Sequence, residues 1–131
     1  MSAYNQFLDS WNDIIGLKAS EHHHRMTDFL ANVMNGSHHG LLMAFRHSGK
    51  STIVGVFAAC TLFLHPETRI LILSAETHLA TRMVMHIRNI LENHPWCRDM
   101  IPKNRREWAE NKITIDRPIG IRDPSVVCQG I

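Results

Sequence analysis

One stretch limits what this chain can fold into more than any other. An apolar run, Leu41-Leu42-Met43-Ala44-Phe45, breaks into the loop Arg46-His47-Ser48-Gly49. Lys50-Ser51-Thr52 then leads at once into an apolar segment that reaches Leu64. The run before the loop has strand character and the segment after it has helix length, so the frame predicts strand 41–45, a tight loop and helix 50–64. A strand that feeds a helix through a loop ending in Gly-Lys-Ser is the layout of a phosphate-binding P-loop.

The residue order follows from the chemistry of holding an anion. Successive backbone N–H groups of such a loop form a concave nest, and the following helix adds the positive end of its dipole. Gly49 lets the backbone approach the phosphates without a Cβ in the way. Lys50 is placed to set its ammonium against the β- and γ-phosphates, and the Ser51 hydroxyl to ligate Mg²⁺. Thr52 is a helix residue near the α-phosphate. The expected ATP site therefore comprises Arg46, His47, Ser48, Gly49, Lys50, Ser51 and Thr52. The alternative is an ordinary strand–turn–helix with a lysine at the helix start, where the cation opposes the dipole at a small cost that a bound phosphate would remove. The loop departs from the general pattern at Ala44, where a glycine is usual, and it carries the extra basic residues Arg46 and His47. His47 could donate to a phosphate or face solvent; the sequence leaves both open.

With 131 residues and a formal net charge of +2, the chain has room for a real core and no global basic field that would announce nucleic acid. Three cysteines, Cys60, Cys97 and Cys128, lack metal-ligand spacing, and an odd number argues against a disulfide framework. No signal peptide or membrane-spanning run is apparent, so the chain reads as soluble and cytoplasmic.

Along the chain, residues 3–17 read as an amphipathic helix with Phe7, Leu8, Trp11, Ile14 and Ile15 on one face. Residues 21–34 read as a second helix, closed by Asn35-Gly36. Arg69 to Ser74 reads as a buried strand, and 77–92 as a helix with Leu79, Met83, Ile87, Ile90 and Leu91 inward. Residues 96–111 look irregular, and 112–116 and 125–129 look like short strands. The expected organisation is an amino-terminal helical segment, 1–36, and a nucleotide-binding core, 37–131. Its fold class is α/β, a mainly parallel sheet flanked by helices. His22-His23-His24 invites a metal reading, but adjacent helical residues point about 100° apart, so a solvated or capping role is favoured. Lys103-Asn-Arg-Arg106 with Trp108 reads as a solvated loop before a nucleic-acid patch.

The run Ala44-Phe-Arg-His-Ser-Gly-Lys-Ser-Thr52 resembles the arginine-containing Walker A loop of tailed-phage terminase large subunits, the ATPase motors that package DNA. Ile70 to Glu76 and Ile90 to Pro95 resemble the second strand and helix of that ATPase domain. Trp108, Ile113 to Ile115 and Arg122 to Gly130 resemble the stretch leading toward Walker B. Over roughly residues 20–131 the resemblance implies a P-loop NTPase fold of the RecA/ASCE type and an ATP hydrolase with Mg²⁺. It implies Lys50 on the β/γ-phosphates, Ser51 on Mg²⁺ and Arg46 stabilising the transition state, in cis or toward a neighbour. It also places the adenine-contacting region near His22 to Leu30. In the intact motor the partners implied are double-stranded DNA, the portal and the small terminase subunit, in the host cytoplasm and away from membranes.

No run of four apolar residues followed by Asp-Glu is present, so the chain looks like the first part of such a domain, incomplete before Walker B. That places turnover in doubt more than binding. The rivals are a helicase-like P-loop ATPase and a stand-alone nucleotide-binding module without turnover. An incomplete sheet would leave open strand edges, so a homo-oligomer is a further expectation, unless strands 112–116 and 125–129 fill the gap.

Overall fold

The computed structural model describes residues 2–36, 39–43, 49–103, 108–116 and 124–130. They form four α-helices, one 3₁₀ helix and three strands, in two compact units, Met1–Cys60 and Thr61–Ile131.

The first unit is helical. Helix α1, Ala3–Ile15, starts at Ser2, whose hydroxyl accepts from the Asn5 amide at 3.2 Å, and stops at Gly16, where φ is +74°. Tyr4, Phe7, Leu8 and Trp11 recur at helical spacing and are buried. Ile14 and Ile15, expected on the same face, are 44% and 40% exposed. They lie in the last turn, where the helix runs out before the stripe can be covered. Helix α2, Glu21–Gly36, buries Met26, Thr27 and Ala31. Two polar contacts tie it to α1: Asn5 Nδ2 donates to Asp28 Oδ1 at 2.8 Å, and His24 Nε2 meets Asp9 Oδ1 at 2.9 Å. Helix α3, Lys50–Leu64, is apolar nearly all round beyond its exposed first turn, Lys50 to Thr52. In its first unit portion Ile53, Val56, Ala59 and Cys60 are buried, and Phe57 stacks on Tyr4 with centroids 4.9 Å apart.

The expected strand at 41–45 does not form over residues 41–43, while Ala44 and Phe45 lie outside the described residues. Leu41 and Met43 are 78% and 80% exposed. A strand exists by exchanging backbone hydrogen bonds with a neighbour, and apolar character alone does not create one.

The second unit carries the sheet. Strand β1, Ile70–Ser74, runs parallel to β3, Val126–Gly130, in the register Ile70↔Val126 to Ser74↔Gly130. Strand β2, Lys112–Ile113, pairs antiparallel on the other side of β3, giving the order β1-β3-β2. The architecture is thus mixed α/β with a small three-stranded mixed sheet, in which, among the described residues, β1 pairs with β3 in parallel and β2 with β3 antiparallel. Helix α4, Thr77–Asn93, connects β1 onward and packs on the sheet through Ala80, Val84, Ile87 and Leu91. Leu79, expected inward, is 46% exposed because it sits one residue, about 100°, off the stripe that Ala80 begins. A 3₁₀ helix, Pro95–Met100, follows. Buried His94 caps it, its Nδ1 accepting from the Trp96 amide at 3.1 Å. Arg88 lies over the Trp108 ring at 5.3 Å and donates to the Ala109 carbonyl, while Trp108 Nε1 donates to the Thr114 carbonyl at 2.6 Å. Arg88 and Trp108 thereby anchor the chain before and after β2. No helix among the described residues is long and apolar enough to cross a membrane.

Candidate functional site

The start of α3 is the centre of the candidate site. Gly49 has φ +85°, a left-handed conformation that side chains resist, and its carbonyl accepts from the Ile53 amide at 3.0 Å. The sharp turn and the first intrahelical bond therefore fall on the same residue, and α3 begins at Lys50. Lys50, Ser51 and Thr52 are exposed in its first turn, at the positive end of the helix dipole. Arg46, His47 and Ser48, the other expected site residues, lie outside the described residues.

A histidine stands against this turn. A Cβ on Gly49 would lie 2.9 Å from His23 Nε2, so residue 49 is confined by its neighbour as well as by its φ. His23 is held from its other side, its Nδ1 accepting from the Ser20 amide at 3.4 Å. That hydrogen bond favours the tautomer with the proton on Nε2, the nitrogen turned toward Gly49. His22 meets the Ser20 hydroxyl at 2.8 Å, and His24 turns away to Asp9. His22 and His23 thus both engage Ser20 while His24 pairs with Asp9, and among the described residues no group of three His, Cys, Asp or Glu could hold a metal ion.

Beside the turn lies a cleft of about 450 Å³, within the size range of small-molecule sites. Leu8, Leu17 and Ile53 give it apolar walls, and Gly49 and Thr52 form part of its lining. Asn12, Ser20, His22 and His23 supply its polar groups, and Lys18 its cation. No Asp or Glu lines it among the described residues. An apolar slot beside a helix start, with a few polar groups, one lysine and no carboxylate among its described lining, suits a flat apolar ring carrying an anionic tail.

Sequence reasoning singled out Gly49 to Thr52, and the resemblance placed a ligand-contacting region from His22 to Leu30, which includes His23, but Asn12, Lys18 and Ser20 were missed as neighbours of the site. The heptad-like placement of Leu8 and Asn12, four residues apart on α1, was the available signal: a polar residue on a face that is otherwise apolar. Glu76, at the N-cap position of α4, makes no side-chain capping bond; its Oε2 lies 3.2 Å from His78 Nδ1.

No protein-family model, no curated protein and no solved structure matches the chain.

Proposed function

We propose that this chain is the ATP-binding part of a DNA-packaging motor of the terminase type, with a P-loop NTPase fold. The observation that carries the nucleotide reading is the left-handed Gly49 turn that opens α3 beside a cleft with no Asp or Glu among its described lining residues. Phosphates would sit on the Gly49–Thr52 turn, where the backbone and helix dipole favour negative charge. The nucleoside would extend along the cleft. Lys50, exposed at the first position of α3, neutralises the β- and γ-phosphates. Arg46 offsets charge on the phosphoryl group in transfer. Ser51, exposed in the first turn of α3, would offer its hydroxyl to Mg²⁺, a hard oxygen donor that suits this ion, and the ion would polarise the phosphates. The step from nucleotide binding to DNA packaging rests on the resemblance of the Arg46-containing loop and of the strand and helix that follow it. In the intact protein ATP hydrolysis would then drive translocation of double-stranded DNA.

Titration calorimetry with ATP and Mg²⁺ tests this reading. The wild-type chain binds, and Lys50→Ala weakens binding at least tenfold while the far-ultraviolet circular dichroism is unchanged. Equal affinity in a folded Lys50→Ala protein overturns it.

A further inference from the structure

Strand β1 lies at one edge of the sheet order β1-β3-β2 and spends only one side of its backbone on β3. The Ile70 amide donates to the Ser125 carbonyl at 2.8 Å. Backbone N–H and C=O groups alternate sides along a strand, so Ile70, Ile72 and Ser74 turn theirs toward β3. Leu71 and Leu73 turn theirs the other way, where no strand pairs with them among the described residues. The two edges of the sheet are also guarded differently. Strand β2 has two residues and carries Lys112, a short charged edge of the kind that resists further pairing. Strand β1 has five residues, Ile-Leu-Ile-Leu-Ser, with neither a charge nor a proline among them. Its leucines are exposed, on the face opposite to Ile70 and Ile72.

We infer that β1 is a dimer interface whose occupant is β1 of a second copy, paired antiparallel about a two-fold axis at Ile72. The outward-facing backbone groups set the register. Residues that exchange two hydrogen bonds in an antiparallel pair sit directly opposite each other. Leu71 therefore faces Leu73 of the second copy, and Ile72 faces its own counterpart on the axis. The leucines become cross-strand pairs on one face. Charge selects the direction. Exposed Glu67 and Arg69 enter the strand, and exposed Glu76 and His78 follow it. Antiparallel association brings Arg69 to the end that holds Glu76 of the second copy, and Glu67 to the end that holds its His78. Parallel association would set like beside like. The contact uses the open edge of each copy and leaves the Lys112 edges outside, so it closes as a dimer. Every residue involved belongs to the second unit, and the inference stands apart from the nucleotide reading.

Sedimentation equilibrium on the full chain tests it, with far-ultraviolet circular dichroism as the check on folding. The wild type shows a monomer–dimer equilibrium without larger species. Leu73→Pro deletes an N–H turned to the open edge, none that β3 uses, and gives a folded monomer. Arg69→Glu and Glu76→Arg each weaken the dimer roughly tenfold, since the two-fold axis repeats every pair. The two reversals together restore it. That recovery separates an antiparallel strand pair from general adhesion of the leucine face, and it decides the matter if Leu73→Pro does not fold. A wild type that is monomeric at every concentration overturns the inference. So does a ladder of species beyond the dimer, a folded Leu73→Pro protein that still dimerises, or a double reversal that fails to recover the dimer.

Discussion

Gly49→Ala is the substitution whose cost the structure sets most directly, and Gly16→Ala calibrates it. Both glycines have positive φ, +85° and +74°, and both border a helix. At Gly16 an added Cβ meets nothing within 4 Å, so alanine there reports only the left-handed backbone, about 1–2 kcal/mol. At Gly49 the same backbone cost is joined by a contact of 2.9 Å with His23 Nε2. The ring must rotate off its position and give up its long bond from the Ser20 amide, which adds about 0.5–1.5 kcal/mol. Gly49→Ala should therefore destabilise by about 2–3 kcal/mol, and by about 1 kcal/mol more than Gly16→Ala. Urea unfolding of both variants measures the difference, and the Gly49→Ala, His23→Ala double variant tests its origin. Removing the ring should relieve the extra increment and leave the backbone cost. If Gly49→Ala is no worse than Gly16→Ala, or His23→Ala does not relieve it, the placement of His23 against the turn is wrong.

ATP hydrolysis by this chain should be very slow, because among the described residues no carboxylate lines the cleft to orient a water; steady turnover near 1–100 s⁻¹, roughly the range of kinases, lost in Lys50→Ala, would refute this. Strand β1 lies at an edge of the sheet with Leu71 and Leu73 57% and 55% exposed on one face, so the chain should self-associate, and Leu71→Lys with Leu73→Lys should reduce it. Light scattering that finds a wild-type monomer at every dilution contradicts that. The Cys97 thiol is pushed up to about 12 by burial, from an ordinary 9.0. Its folded form keeps the proton while the unfolded form loses it, so the stability it contributes is present below pH 9 and is lost as pH rises toward 12. Relative to Cys97→Ala, the wild type should lose up to about 1.4 kcal/mol per pH unit in that window, and parallel stability curves would rule it out.

The helices were legible because their signals are local. Ser2 and Gly16 bracket α1, and Pro66 and Pro95 follow the ends of α3 and α4, so propensity and caps agree with the outcome. Strands β1 and β3 were legible from short apolar runs, but their adjacency was not, since parallel pairing joins Ile70 to Val126 across α4 and leaves no local trace. Leu41 to Met43 misled for the related reason that apolar residues name a strand only when a partner exists. Of the candidate site, the Gly49 turn and the helix start carry a local signature. Asn12 and His23 do not: what brings them to Gly49 is the packing of α1 and α2, and a buried asparagine or a histidine run reads from sequence as surface.

The central claim is that an anionic nucleotide sits on the Gly49–Thr52 turn with its base in the adjoining cleft. Residue-resolved NMR during titration with ATP and Mg²⁺ tests it most directly. The account predicts that the largest amide shifts fall on Gly49, Lys50, Ser51 and Thr52, accompanied by methyl shifts of Leu8, Leu17 and Ile53, and that inorganic triphosphate moves the amides but not the methyls. Saturable ATP binding whose shifts lie elsewhere in the chain, with these residues unmoved, would contradict it.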